Sequence, residues 1–446
     1  MFQQEAIPTQ PTDISPSYTS TSTSPPFTQA DHIPQSRPDR PSSPSLLPLP
    51  EHTSTTLPES DSLLVFEKAL LKANTGDEGA QVELGDLYRE AEDYPEAMKW
   101  FAKAADQCNA VSYRKIGYLY DFGLGVPMDH SKAFEWYLKS AELGDPNGQL
   151  NLGLCYMNGQ GVEEDSKKSL EWTFKAAEQG VPNAQLLIGI HYKQGLCLDK
   201  DFGKAMEWIL KAAEQDSASA QDCVGDMYLA GEGVPKDTAI ASEWYFKAAE
   251  QGYAQAQLSI ARLYDDSEGV PHDYEKAMKW YLKAAGQGLG SAQNNIGVLY
   301  KHGHGVTQDY TKAAEWFHKA AEQGNKQGQF NLAMSYKDGE GVEQDFQAAM
   351  EWFLKSAEQG DATAMAFAGS MHHTGRGVKW DVAKARAMYL QALEMEPGNK
   401  AATLLLKTAE EFLAGEEGST SDERKSYITI ALSVVSLVYS IYSLWV

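Results

Sequence analysis

Eight tryptophans, Trp100, Trp136, Trp172, Trp208, Trp244, Trp280, Trp316 and Trp352, stand 36 residues apart without exception. Self-similarity at such a period marks an architecture in which each unit docks on the next and the core grows by addition. A chain of 446 residues would otherwise suggest about three ordinary domains. A second series precedes the first: Gly117, Gly153, Gly189, Gly225, Gly297 and Gly369, with Ala261 and Ala333 in the two gaps. Three residues after each comes Tyr120, Tyr156, Tyr192, Tyr228, Tyr264, Tyr300 or Tyr336, and finally His372. Leu84, Gly85 and Tyr88 open a shorter unit, which makes nine.

Each unit reads as two antiparallel helices. In the first, small and apolar residues recur three and four apart, as in Ala292, Ile296, Gly297 and Tyr300, which is one face of a 3.6-residue period. A small residue in mid-helix lets the neighbouring helix approach closely. A Gly-x-Gly-Val turn follows, such as Gly303-His304-Gly305-Val306, whose first Gly suits the left-handed position that ends a helix. Then an Asp (Asp129, Asp165, Asp201, Asp237, Asp273, Asp309, Asp345 or Asp381) stands where a helix N-cap belongs. The second helix carries Lys-Ala, Trp and Lys-Ala-Ala-Glu, and Gly180, Gly252, Gly288, Gly324 or Gly360 ends it. The Trp and the two Ala are expected on one stripe facing the core. The Lys-Ala-Ala-Glu runs are expected as solvated helix faces.

These residues resemble the Sel-1-like repeats, relatives of the tetratricopeptide repeats, from about Ala80 to Leu393. The motif shared by most units is AxxxLGxxYxxGxGVxxDxxKAxxWxxKAAEQG. The first unit departs with a short loop from Arg89 to Tyr94, Cys197 and Ser267 each replace a loop Gly, and His372 replaces Tyr. The resemblance implies an all-α fold: an α-solenoid of about nine helix-turn-helix repeats in a right-handed superhelix. The solenoid is expected over residues 61–413, with capping helices at 62–74 and 399–413.

Composition bounds the rest. The net charge of -24 argues against nucleic acid, whose phosphates need Lys and Arg. Cys108, Cys155, Cys197 and Cys223 fall at unrelated repeat positions and form no CxxC pair, which fits a reducing compartment. The start, MFQQEAIPTQ, has neither a basic run nor an apolar one, so no secretory leader is expected. Residues 1–60 hold 12 of the 19 prolines and 20 Ser or Thr, a composition that cannot bury enough surface to offset chain entropy, and the arm is expected to be disordered. Within it Pro38, Pro41 and Pro44 lie on one edge of a polyproline helix, and Ser15, Ser24 and Ser43 precede proline.

After a polar linker, 414–426, comes YITIALSVVSLVYSIYSLWV, residues 427–446, uncharged throughout. As a helix it would be about 30 Å long, the thickness of a bilayer core, with Arg424 and Lys425 on the flank expected to face the cytosol. Thr429, Ser433, Ser436, Ser440 and Ser443 follow a heptad seam, so the five hydroxyls share one face suited to helix packing in a membrane. A tail-anchored protein is expected from this, on the ER or mitochondrial outer membrane, with homo-oligomer formation through the seam as a further expectation. A cytoplasmic protein is expected if the tail does not insert.

No phosphate-binding loop, nucleophile elbow, HExxH or EF-hand loop is present. The Gly-x-Gly pairs join two helices, follow no strand and lack the third Gly of a dinucleotide loop. His302 with His304, and His372 with His373, lack a Cys or acidic partner at ligand spacing. No catalytic residue, cofactor or metal is therefore expected.

Comparison of the repeats with one another locates binding instead. Positions held in every unit serve the stack, and positions that vary on the same helix are free for a partner. By resemblance to related helical repeats, the residues one and four after the mid-helix Gly line the concave groove. The candidates are Tyr118, Asp121, Lys193, Asp226, Arg262, Asp265, Lys301, Met334 and Lys337, with Asn294 on the same helix as Lys301. The expected function is a non-enzymatic scaffold or adaptor that binds a peptide or protein partner. The resemblance also implies, as an alternative, a regulator of a membrane enzyme complex, in ER-associated degradation or of the chitin-synthase type known from fungi. The ending SLWV lacks the terminal Cys box of the latter. A soluble structural oligomer with a buried tail is the remaining alternative. Relatives discussed as hydrolases carry disulfides along the solenoid, and the cysteines here do not repeat.

Overall fold

The structure is a computed structural model and describes residues 59–266 and 271–415, together with the single residue Ser433. The arm expected to be disordered, apart from Glu59 and Ser60, which open the first helix, the loop position Ser267 and the segment expected to cross a membrane, apart from Ser433, which is helical and exposed, lie outside these residues.

The described residues form twenty α-helices and no strand. Helix α1 (Glu59–Asn74) and helix α20 (Lys400–Gly415) flank nine hairpins, from α2 (Glu78–Glu90) paired with α3 (Tyr94–Ala105) to α18 (Ala362–Thr374) paired with α19 (Val382–Met395). Each second helix also packs on the first helix of the next hairpin, which buries the face that one hairpin leaves open.

The periodic polar residues work as read. In the hairpin of α14 (Gly290–His302) and α15 (Tyr310–Glu322), Gly303 ends the first helix at φ +73°, where a side chain would be strained. Asp309 caps α15 by accepting the Lys312 amide at 3.0 Å, and its own N–H donates to the Tyr300 carbonyl at 2.9 Å. That pair repeats from Asp129 with Tyr120 to Asp381 with His372. Lys312, three residues into the helix, lies over the Tyr300 ring at 5.3 Å, so the Asp and Lys of the motif both act back on the Tyr.

The core differs from expectation at the tryptophan. Trp100 is buried, but the other seven of the series are half-buried. The residue that follows each one fills the core: Phe101, Tyr137, Thr173, Ile209, Tyr245, Tyr281, Phe317 and Phe353 are at most 1 % exposed. The reason is angular. Consecutive helical residues are about 100° apart, so only one of two neighbours can point at the partner helix, and the other takes the margin. There each Trp carries the ammonium of the Lys three residues later, from 3.5 Å for Lys103 over Trp100 to 4.3 Å for Lys211 over Trp208. These lysines cover indole faces and are not simply solvated. Such contacts contribute about 0.5–1 kcal/mol at exposed sites.

Glutamines tie the units together. Gln221 is buried, donates to the Ala213 carbonyl at 3.2 Å and accepts from Gln251 at 2.8 Å. The same link joins Gln149 to Gln179, Gln185 to Gln215, Gln257 to Gln287 and Gln329 to Gln359. It is interrupted at Gln293, whose buried side-chain oxygen has no partner.

Candidate functional site

Helices α10 (Ala218–Ala230), α12 (Ala254–Asp266), α14 and α16 (Lys326–Asp338) are the first helices of four consecutive units. Their variable residues share one face because a 36-residue period returns each unit to the same register. Between α12, α14 and α16 this face opens into a cavity of about 300 Å³, lined by Arg262, Asp265, Asn294, Asn295, Phe330 and Asn331 among others.

The cavity is polar with fixed walls. The Tyr281 hydroxyl donates to Asp265 Oδ2 at 2.8 Å, which locks that carboxylate against α13 (Tyr274–Gly286). The Asn331 amide donates to Asn294 Oδ1 at 2.8 Å across the repeat boundary. Asn294 is buried while Arg262 is exposed, so the guanidinium stands at the rim and the amides at the base. Side-chain amides both donate and accept, which is the chemistry that recognises a peptide backbone. The cavity holds no arrangement of nucleophile, base and oxyanion donors.

Three of the expected groove residues, Arg262, Asp265 and Asn294, meet at this cavity. The others are spread along the solenoid. Tyr118 packs its ring on Phe122 at 4.5 Å. Asp121 is 4 % exposed, and its carboxylate lies 2.8 Å from His130 Nδ1 and 3.3 Å from the Tyr137 hydroxyl. Lys193 bridges Glu232 at 3.3 Å and Lys301 bridges Glu340 at 3.9 Å. Met334 is buried. Lys337 is buried against Asp338 at 2.7 Å, and burial holds its ammonium below the usual lysine range. Asp226 is exposed and accepts from the Tyr245 hydroxyl at 2.7 Å.

Asn295, Asn331 and Phe330 lie two or three residues before the mid-helix small residue, outside the two positions that were compared between repeats. Variation at the position three before it, through Asp222, Leu258, Asn294 and Phe330, was the available signal.

The model of the Sel1 repeat matches the chain nine times, at residues 79–107, 110–145, 146–181, 182–217, 218–253, 252–289, 290–325, 326–361 and 362–396. The chain belongs to the Sel1 repeat family. Sel1 repeat proteins generally act as scaffolds for protein–protein interaction. Among solved structures the chain is similar to a Sel1 repeat protein from Oxalobacter formigenes, with 34% identity, 68% of this chain and 88% of that chain covered, and a TM-score of 0.51. It is also similar to a protective antigen of uropathogenic Escherichia coli strains with this fold, at 29% identity, 84% and 94% coverage and a TM-score of 0.39. No curated protein matches. Among the described residues no helix is long and apolar enough to cross a membrane, and the segment 427–446 expected to do so is not among them apart from Ser433.

Proposed function

We propose that this Sel1 repeat chain is a non-enzymatic scaffold that holds an extended segment of a protein partner along the first helices of units five to eight. The amide-lined cavity between α12, α14 and α16 supports the reading. Its side chains vary between units whose Tyr, Asp and Gln are constant, so the shared packing of the stack does not dictate them. Random peptides displayed on phage and selected on the full chain test it. Selected peptides are expected to lose binding to Asn331→Ala and Arg262→Glu at unchanged helicity. Peptides that bind both variants as well as the parent, or no selected peptide at all, would refute the reading.

The uncharged segment 427–446, with Arg424 and Lys425 before it, supports a second element: attachment to a membrane with the right-handed solenoid on the cytosolic side. Together with the Pro/Ser arm this favours a regulator of a membrane enzyme complex, of the fungal kind, over a lumenal adaptor. Carbonate extraction of the full chain and of a chain stopped after Lys425 separates the outcomes. Resistance of the full chain alone supports attachment, and extraction of both assigns the tail to a soluble assembly.

A further inference from the structure

One repeat before the cavity, α10 presents two carboxylates, one held within its own hairpin and the other with an unpartnered oxygen. Asp222 and Asp226 are four residues apart and so stand on one side of the helix. They occupy the registers that Asn294 and Val298 hold two units later, where both line the cavity. The two acids therefore lie on the same groove face.

Their surroundings differ. Asp226 is exposed, with Oδ1 held by the Tyr245 hydroxyl at 2.7 Å. Asp222 is 6 % exposed, and its Oδ1 has no hydrogen-bond partner. At the equivalent place Asn294 Oδ1 receives the Asn331 amide at 2.8 Å. The residue in the register of Asn331 is Ser259, whose single hydroxyl proton is shared between the Gln255 carbonyl at 3.1 Å and the Asp222 carboxylate, and leaves Asp222 Oδ1 without a donor. Lys193 faces the pair from α8 (Pro182–Gln194) but bridges Glu232 at 3.3 Å. Tyr253 and Cys223 are the other titratable neighbours, and both are neutral at pH 7 because burial raises them. Burial pushes the Asp222 carboxyl up to about 7, the charge of Asp226 adds to the rise, and Ser259 and Lys193 oppose it. A buried carboxylate oxygen without a donor is unfavourable, and a cation that brings its own N–H groups removes the penalty. Rotation about χ2, which is soft in Asp, turns either oxygen of Asp222 toward such a group.

We infer that Asp222 and Asp226 form a subsite for one basic side chain, Lys or Arg, of the segment bound in the groove. This rests on the scaffold reading. Asp226 meets the cation at the surface and Asp222 receives it below. The acidic pair sets where along the solenoid the partner's basic residue must lie, and hence the register of the chain that continues into the amide cavity.

The test uses histidine-free random dodecapeptides selected at about pH 8 on the full chain, then resynthesised with each basic residue replaced by norleucine. Selected peptides are expected to share one Lys or Arg position whose replacement weakens binding by about tenfold, the loss of one charge-assisted contact. Asp222→Asn is expected to weaken the basic peptide by a similar factor and to leave the norleucine peptide unchanged. Binding of the basic peptide to the parent is also expected to weaken between about pH 8 and pH 6, and this dependence is expected to vanish in Asp222→Asn. Should Asp222→Asn lose helicity, Asp226→Asn at the exposed member serves the same cycle. Peptides without a shared basic position, or equal loss for the basic and norleucine forms, overturn the subsite while leaving the scaffold standing. Recovery of no peptide overturns both.

Discussion

Gly297 in α14 lies against the ring of Phe317 in α15, so closely that a Cβ on the glycine would stand 2.5 Å from Phe317 Cε1. The pair recurs as Gly117 with Tyr137, Gly225 with Tyr245 and Gly369 with Tyr389. The two helices of a hairpin approach on a surface without side chain, and the buried ring, which follows a tryptophan in all these pairs but Gly369 with Tyr389, fills the space.

Gly297→Ala is therefore expected to destabilise the solenoid by about 1–3 kcal/mol through overpacking. Gly297→Ala with Phe317→Leu is expected to recover part of the loss. Urea unfolding followed by circular dichroism measures both, and no change in the single variant would contradict the packing account.

Asp216 and Cys108 hold the left-handed conformation, at φ +60° and +62°, in the place that Gly144, Gly180 and Gly252 take in other units. Both side chains are exposed. Asp216→Gly and Cys108→Gly are each expected to stabilise the fold by up to about 1 kcal/mol, since the relieved strain outweighs the added chain entropy. A lower unfolding midpoint in both would show that the strain is not there.

Removing one rung of the glutamine ladder leaves its neighbour unsatisfied. Gln251→Ala strips the donor from the buried Gln221 oxygen and is expected to cost about 1–3 kcal/mol. Gln323→Ala, at the interrupted rung beside Gln293, is expected to cost less. Equal costs would remove the ladder as a stabilising element.

The raised carboxyl of Asp222 makes a pH-dependent contribution. Between the ordinary carboxyl value of 3.8 and about 7 the folded chain holds the proton more tightly than the unfolded one. Stability from this group is thus complete below about pH 4 and lost as pH rises to 7. Asp222→Asn, which keeps the shape and carries no charge, is expected to be more stable than the parent at pH 8, by at most about 4 kcal/mol for a shift of about three units. The difference is expected to close toward pH 4. Thermal unfolding at both pH values checks the sign.

His373 works in the opposite direction. It is buried in α18 with Nδ1 3.2 Å from the Tyr389 hydroxyl, and burial lowers its imidazole from 6.5 to about 4. The unfolded chain takes up the proton first, so stability is complete above about pH 6.5 and lost as pH falls toward 4. His373→Gln is expected to flatten the acid side of the stability profile. A profile of the same slope in this variant would assign the acid loss to other groups.

The sequence by itself determined the hairpins. The 36-residue period, the glycines that end helices and the Asp caps act on local backbone, where conformation and hydrogen bonding are set within a few residues. Nine units were countable for that reason. Only the tertiary structure decided which neighbour of each tryptophan enters the core. The constant Trp is the more conspicuous of the two in a repeat comparison, while the residue after it varies from Tyr281 and Phe317 to Ile209 and Thr173. The choice follows from the angle at which the second helix meets the glycine face of the first. The glutamine pairs, 30 residues apart in sequence, were hidden for the same reason: their contact exists only once the next unit has docked. So too with the groove. Register placed Arg262 and Asp265 on it, but that Asn294 meets the Asn331 amide, while Asp222 meets the Ser259 hydroxyl and keeps Oδ1 unpartnered, is decided by which residue the adjoining helix supplies.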